Sequence, residues 1–499
     1  MFALAIGLVM TGCTSMGVKS GAALESIGER SLMADESSLD ELWLALPEEM
    51  KQNTLHGLSV AVFDNYKIVD VETFGAKSAR SGEVVTEDTV FSTASISKVV
   101  TALVCLKLAE DGAIDLDAPI ATYLKSWKLP ESEFSGAADV TWRQLLTHTA
   151  GTSQHGFADY YEGDELPTLI DSLEGRLPRY DKPIEFLFSP GTDWQYSGGG
   201  YVIVQLALED HTGISLPELA TREVFEPLGL RHTTMIQPGA VGFPTDAALV
   251  HNEAGEIIRT GLPITPQISA SGMWSSPADL ATFAIAIQRA LAGETDGPIK
   301  PAALTDIFSL APVGGMSMPY FRGFGFGNTD WFRHDGSNTG VNADLLGSMK
   351  GGYGIIMLGN GDDANTGPVF ATLRREIIER MGWSQRVPLA TLPLPEPLTS
   401  KLVGTYTGLL YDLGLDYRLE KQGGRLWVVS EFFTQFLGRD RSKMRYLGDN
   451  TFAIEDYPNR LRFDCETPDH ECTVLLNRPG SSAVKIIRPM QRVGAEKSQ

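Results

Sequence analysis

Ser95 and Lys98 stand three residues apart in the stretch FSTASISKVVTALVCLKLAEDG, residues 91–112. Residues at i and i+3 share a helix face, so the two side chains meet if a helix begins near Ser95. A serine hydroxyl is a weak nucleophile at neutral pH until a neighbouring base takes its proton. A desolvated lysine can have its pKa lowered far enough to do this. Backbone N–H groups at the start of the same helix favour the negative charge that develops on an attacked carbonyl oxygen. The competing reading is a surface serine beside a solvated lysine. The same spacing recurs at Ser482 and Lys485, where an alternating pattern indicates a strand that sends the two side chains to opposite faces.

The elements around this pair set its context. Residues 55–64 (LHGLSVAVFD) and 67–74 (KIVDVETF) alternate apolar and polar residues about Asn65-Tyr66 and predict an antiparallel hairpin. A helical period follows Lys98 through Val99, Ala102, Leu103, Leu106 and Ala109, with Gly112 as its C-terminal stop. A Gly-, Pro-, Tyr- and Trp-rich middle section predicts several short helices. Ser276-Pro277-Ala278-Asp279 then starts a longer one, with Ser as N-cap and Pro in the first turn. Strand patterns return at 342–350 and 353–360, and a last helix is predicted over 369–381. Strands at both ends with helices between them predict a mixed, largely antiparallel sheet flanked by helices. The Pro-rich stretch 387–397 (VPLATLPLPEP) predicts an extended linker. The short alternating segments after it predict an all-β unit of barrel or sandwich type.

Five segments occur in order: GLSVAVFDNYKIV, DTVFSTASISKVVTALVCLKLAEDGAIDLDAPIATYL, VTWRQLLTHTAGT, PGTDWQYSGGGYVIVQLAL and SGMWSSPADLATFAIAI. Together they resemble the serine β-lactamase-related family of class C β-lactamases, D-alanyl-D-alanine carboxypeptidases, D-aminopeptidases and family VIII carboxylesterases. The resemblance spans roughly residues 55–381 and specifies the superfamily rather than the substrate. It implies an α+β fold in which an antiparallel sheet flanked by helices meets an all-helical lobe, with the nucleophile between the two. The C-terminal unit resembles the lipocalin-like barrels that some members append. The expected organisation is a signal and tether over 1–35, a hydrolase domain over 36–386, a linker over 387–398 and a β-barrel domain over 399–499.

Carried onto this chain, the resemblance makes Ser95 the acylated nucleophile, Lys98 its base and Tyr196 the proton relay. His334-Asp335-Gly336 stands where relatives carry Lys-Thr-Gly, with His334 as a catalytic candidate and Asp335 and Gly336 beside the substrate. The backbone N–H groups of Ser95 and Ser337 are the expected oxyanion hole. Each position has a structural alternative: Tyr196 as a packed aromatic beside Trp194, and His334 as a locally bonded loop histidine. His148 is read as structural. Two departures bear on substrate. Gly198 replaces the Asn that contacts the acylamino group of a lactam, and His334 replaces the Lys that helps hold its carboxylate. Both disfavour an efficient β-lactamase and favour an ester, with a D-peptide next and a penicillin-binding sensor as a reading of another class. No metal or organic cofactor is expected.

Composition restricts the partners. The 499 residues carry 41 Lys+Arg against 63 Asp+Glu, a formal net charge of −22, and contain no clustered basic run, so nucleic-acid binding is not expected. Residues 2–12 are apolar and uncharged but too short to span a bilayer. They end at Cys13 in a pattern that resembles a bacterial lipoprotein signal, which implies lipidation of Cys13 and a periplasmic protein held to a membrane by lipid alone. Met10 stands where Leu is usual and no basic residue precedes the run. A cleaved signal peptide and a disordered tail are the alternatives. Cys105 lies among apolar residues and is read as buried. Cys465 and Cys472 bracket ETPDHE and are expected to form a disulfide in an oxidising compartment.

Overall fold

Strand β1 (Gly57–Asp64) explains why the fold has two cores. Its sequence GLSVAVFD is buried along nearly its whole length, so both faces are covered rather than one. Ala61 and Phe63 face one apolar cluster, and Leu58, Val60 and Val62 face the other. Successive side chains of a strand point to opposite faces, so a central strand covered on both sides reads as a nearly continuous apolar run. In the computed structural model, residues 37–177, 182–308, 321–325, 329–383, 391–410, 413–430, 440–454, 460–464, 473–477 and 491–493 are described. The expectations for residues 1–35, Cys13, Cys465, Cys472 and the Ser482/Lys485 pair lie outside them.

Strand β2 (Lys67–Gly75) pairs with β1 through a tight turn in which Asn65 and Tyr66 have φ of 49° and 62°, the left-handed pair that closes a two-residue hairpin. Strands β3 (Phe321–Gly325), β4 (Thr329–Asn338), β5 (Val341–Ser348) and β6 (Gly354–Gly359) complete a six-stranded sheet in the order β2-β1-β6-β5-β4-β3, with every pairing antiparallel. One face is covered by helices α1 (Ser37–Gln52) and α6 (Asp363–Arg380), which contribute Leu39, Leu42, Val369, Leu373 and Ile377. The other carries helices α2 (Ser97–Glu110), α3 (Gly198–Thr212), α4 (Ile268–Ser271) and α5 (Pro277–Leu291), whose apolar residues form one large cluster. Each fully buried Leu- or Ile-sized side chain in these layers contributes about 1.5–3 kcal/mol of transfer free energy.

Local signals account for the helix ends. Ser276 caps α5 by accepting from Asp279 N, with Pro277 at the first position as predicted. Helix α6 begins six residues before the predicted start and keeps Pro368 within its second turn. The apolar period alone does not show such an early start, because the first turn is polar and leaves its N–H groups outside the helical ladder.

The C-terminal region is all β. Seven successive strands from Gly404–Leu410 to Thr473–Asn477 pair antiparallel in order, and Gln491–Val493 returns to pair with Gly404–Leu410. That strand comes to lie beside Thr473–Asn477, which curls the sheet towards a barrel. Tyr406, Leu419, Val428, Phe452 and Phe463 join the same apolar cluster as α1 and α6, so this unit packs behind the six-stranded sheet. The expected linker differs in one respect: a helix, Glu396–Leu402, begins inside it. Pro397 sits in that helix's first turn, where a missing N–H costs nothing. Cys105 is a buried free thiol. Among the described residues no helix is long and apolar enough to cross a membrane, and no cluster of His, Cys, Asp and Glu could hold a metal ion.

Candidate active site

Ser95 lies in a 3-10 turn, Ala94–Ile96, immediately before α2 rather than in the α-helix itself. The residue ahead of it, Ala94, has a φ of 44°. A non-glycine residue in the left-handed region costs about 1–3 kcal/mol and persists only when its surroundings hold it. Here the holding groups are explicit. Thr93 donates through both N and Oγ1 to Met273 O, at 2.9 and 3.0 Å. Ser97 Oγ donates to Ala94 O at 2.5 Å and accepts from Met273 N at 2.9 Å. The serine hydroxyl is thereby presented at a fixed angle from a buried turn.

Lys98, one helical turn on, is 2% exposed. Its Nζ donates to Ser95 Oγ at 3.2 Å and to Ala270 O at 2.7 Å. Helix α4 supplies that carbonyl and is itself tied down, with Ser269 Oγ donating to Tyr201 O and Ser269 N to Gln205 Oε1. Burial lowers the Lys98 pKa from 10.5 to about 7. A buried ammonium loses its hydration, and among the described residues no carboxylate pairs with this one to restore it. At neutral pH the amine is therefore available as a base.

The Tyr196 hydroxyl lies near enough to Ser95 to interact with it, and the Lys98 Nζ lies 4.8 Å from its ring centre. Burial pushes the phenol above its ordinary pKa, the interaction with Ser95 opposes this, and the charge of Asp335 adds to it. The group is a protonated donor at neutral pH. His148 fixes its position: the imidazole stacks on the Tyr196 ring at 4.3 Å, and Nδ1 accepts from Ser197 N at 3.0 Å. His148 adopts φ of 60° and is held neutral by burial, with the Lys98, His334 and His155 charges acting in the same direction.

The glycines after Tyr196 are required by close approach. A Cβ at Gly199 would sit 2.6 Å from Gln154 Oε1, and one at Gly200 2.9 Å from Thr152 Oγ1. At Gly198 a Cβ would lie 3.0 Å from His155 O and 3.2 Å from Phe157 Cε2. The 155–157 segment thus occupies the space beside position 198. Strand β4 meets the nucleophile turn in the same way: a Cβ at Gly336 would be 2.1 Å from Thr93 O and 3.1 Å from Ser95 N.

Ser95, Lys98, Tyr196, Gly198 and Ser337 line one cleft of about 200 Å³, together with His155, Asp159, Ala270 and Asn338. His334, Asp335 and Gly336 do not line it. His334 is buried on the same face of β4 as Gly336, with Nδ1 2.6 Å from Asp335 O, and burial holds it well below the ordinary imidazole pKa. Asp335 points away to within 3.5 Å of Arg333 Nη1. Gly336 is the contact that lets β4 reach Ser95. Arg333 and Arg374 both bind the buried Asp344, at 2.7 and 2.5 Å, which anchors β4 and β5 to α6. Ser337 Oγ donates to Asp363 at 3.1 Å. Among the described residues, none of the C-terminal β unit lines the cleft.

His155 and Asp159 went unnoticed in the sequence because a histidine and an aspartate in a polar loop carry no periodicity. The only hint is their place directly after LLTHTAG. Gln154, with φ of 63°, turns the chain so that His155 faces Tyr196.

The family described as Beta-lactamase matches residues 45–378. Penicillin-binding protein 4 of Amycolatopsis lactamdurans is 27% identical over 371 residues, covering 70% of this chain and 92% of that protein. Esterase EstB of Burkholderia gladioli is 29% identical over 192 residues, 37% of this chain and 48% of the esterase. Among solved structures, that of SurE with D-Leu superposes with a TM-score of 0.55 at 22% identity, covering 92% of this chain and 100% of the other. At that identity the superposition speaks for the fold.

Proposed function

The chain belongs to the beta-lactamase family of serine hydrolases, which acts on ester, peptide or β-lactam substrates, and from that membership we propose that it is a carboxylesterase-like enzyme working through an acyl group on Ser95. The observation that carries the reading is the buried Lys98, whose Nζ lies 3.2 Å from Ser95 Oγ and 4.8 Å from the Tyr196 ring centre, with all three residues on one cleft. Neutral Lys98 takes the Ser95 proton as Oγ adds to the substrate carbonyl. The N–H groups of Ser95 and Ser337 receive the oxyanion, donors of a kind that contribute on the order of 3 kcal/mol each. Tyr196 then protonates the leaving oxygen and recovers its proton from Lys98, which returns both groups to their starting states.

The preference for an ester rests on what the cleft offers. Lys98 is the only Lys or Arg among its described lining residues, and its Nζ is committed to Ser95 and Ala270. A substrate carboxylate, as on a lactam or a C-terminal D-peptide, would meet the Asp159 side instead of a cation. Gly198 offers no amide for an acylamino group. The small volume suits a short acyl chain, since drug-sized ligands occupy roughly 300–1,000 Å³. The esterase relative supports this reading. The penicillin-binding relative, matched over most of its length, favours the alternative in which a D-peptide or a β-lactam acylates Ser95. Anchoring through Cys13 in the cell envelope belongs to the same proposal and rests on the N-terminal sequence.

The test compares kcat/KM for p-nitrophenyl butyrate with that for a chromogenic cephalosporin, after subtracting the Ser95→Ala background. A ratio strongly favouring the ester is expected. A ratio favouring the lactam would overturn the substrate argument, and full activity in Ser95→Ala would overturn the nucleophile.

A further inference from the structure

Hydrolysis of an acyl-enzyme needs a group that takes a proton from water. Lys98 is poorly placed for it, because it is 2% exposed and directs Nζ at Ser95 Oγ and Ala270 O. His155, Gly156, Phe157 and Asp159 line the cleft, and His155 is exposed to solvent. We propose that His155 is a further catalytic residue, the base that activates the deacylating water and passes the proton on towards Tyr196. This rests on the Ser95 acyl-enzyme proposed above.

Three independent observations carry it. His155 is exposed, and its ring lies tilted by 40° against that of Tyr196, with ring centres 5.1 Å apart. Its ring nitrogens make no side-chain hydrogen bond to a described residue, so both remain open to water, unlike those of His56 and His251, which are engaged with backbone groups. Its backbone is held rigidly. Gly198 N donates to His155 O at 3.1 Å, Gly199 N to Gln154 O at 3.0 Å, and the buried Gln154 Nε2 to Ser172 O at 2.9 Å. A surface loop histidine has no need of such support, and it is the glycine at 198 that leaves room for it. The surrounding protein and the Lys98 charge lower its pKa, so the ring is in its basic form at neutral pH.

The step balances without a co-reactant. As the water oxygen bonds to the acyl carbon, its proton passes to the imidazole. The acyl C–Oγ bond breaks, Ser95 Oγ takes the Tyr196 hydroxyl proton, and the imidazolium returns a proton to Tyr196 directly or through one water. The products are the carboxylic acid and the free enzyme.

Stopped-flow release of p-nitrophenol from p-nitrophenyl butyrate by the full chain separates the two half-reactions. In His155→Ala and His155→Gln, a burst equal to the enzyme concentration is expected at close to the wild-type acylation rate, with steady-state turnover reduced by about 100-fold, within the span of general base catalysis. Added imidazole should restore turnover at least tenfold to His155→Ala and not to His155→Gln, where the glutamine fills the space. Turnover within threefold of wild type in either variant overturns the proposal. So does a parallel fall of burst rate and turnover without imidazole rescue, which marks a packing role. Failure of the acyl-enzyme reading is distinct, since it shows as a burst that survives Ser95→Ala.

Discussion

Replacing Lys98 by methionine should abolish turnover and at the same time stabilise the protein, by an amount that depends on pH. The native pKa of Lys98 is about 7 against 10.5 for an ordinary lysine. That shift of about 3.5 units corresponds to about 5 kcal/mol of preference for the neutral amine in the folded state. Between about pH 7 and 10.5 the unfolded chain holds this proton and the native chain does not, so wild-type stability rises with pH across that window. Below pH 7 the full penalty of burying the ammonium applies, and above 10.5 it is gone. Methionine carries no such term. The advantage of Lys98→Met over wild type should therefore be larger at pH 6 than at pH 9.5 by about 3 kcal/mol. The lost hydrogen bonds to Ser95 Oγ and Ala270 O lower the variant's stability at both pH values alike and cancel in the difference. The assay is urea denaturation of both proteins at the two pH values, followed by tryptophan fluorescence. The wild-type kcat/KM for an ester should rise through a midpoint near pH 7 in the same buffers. An equal effect of the substitution at both pH values would falsify the claim that Lys98 is a desolvated base.

Two further substitutions test how the scaffold holds the site. Gly336→Ala places a methyl group 2.1 Å from Thr93 O; moving β4 away should destabilise the fold by about 1–3 kcal/mol and cut acylation at least tenfold, read by thermal melts and burst rates. Asp344→Asn leaves Arg333 and Arg374 buried without their shared counter-charge, and a loss of about 3–5 kcal/mol in denaturation experiments is expected. An unchanged melting temperature would show that the two guanidiniums are satisfied elsewhere.

Ser95, Lys98 and Tyr196 were legible in the sequence because short-range geometry and ordered motifs suffice to point at them. The spacing of Ser95 and Lys98 puts both within one turn, whether that turn is 3-10 or α. The β1–β2 hairpin, the Ser276 cap and the alternating C-terminal segments were legible for the same reason, since each is decided by neighbours in the chain. His334 was expected as a catalytic candidate and Asp335 and Gly336 beside the substrate, whereas none of the three lines the cleft. Which face of β4 looks into the cleft depends on its register with β5, where His334 pairs with Leu345 and Gly336 with Ala343.

What the amino-acid sequence determines by itself is thus the kind of chemistry available: a hydroxyl beside an amine, glycines where backbones must touch, and apolar periods for the two layers. Only the tertiary structure decides the state of those groups. Lys98 can lose its proton near neutral pH because the packing around it removes its water, Tyr196 stays protonated for the same reason, and His155 reaches the cleft through a strained Gln154 held by residues far along the chain. Desolvation is a property of everything packed around a group, so no local stretch of sequence encodes it.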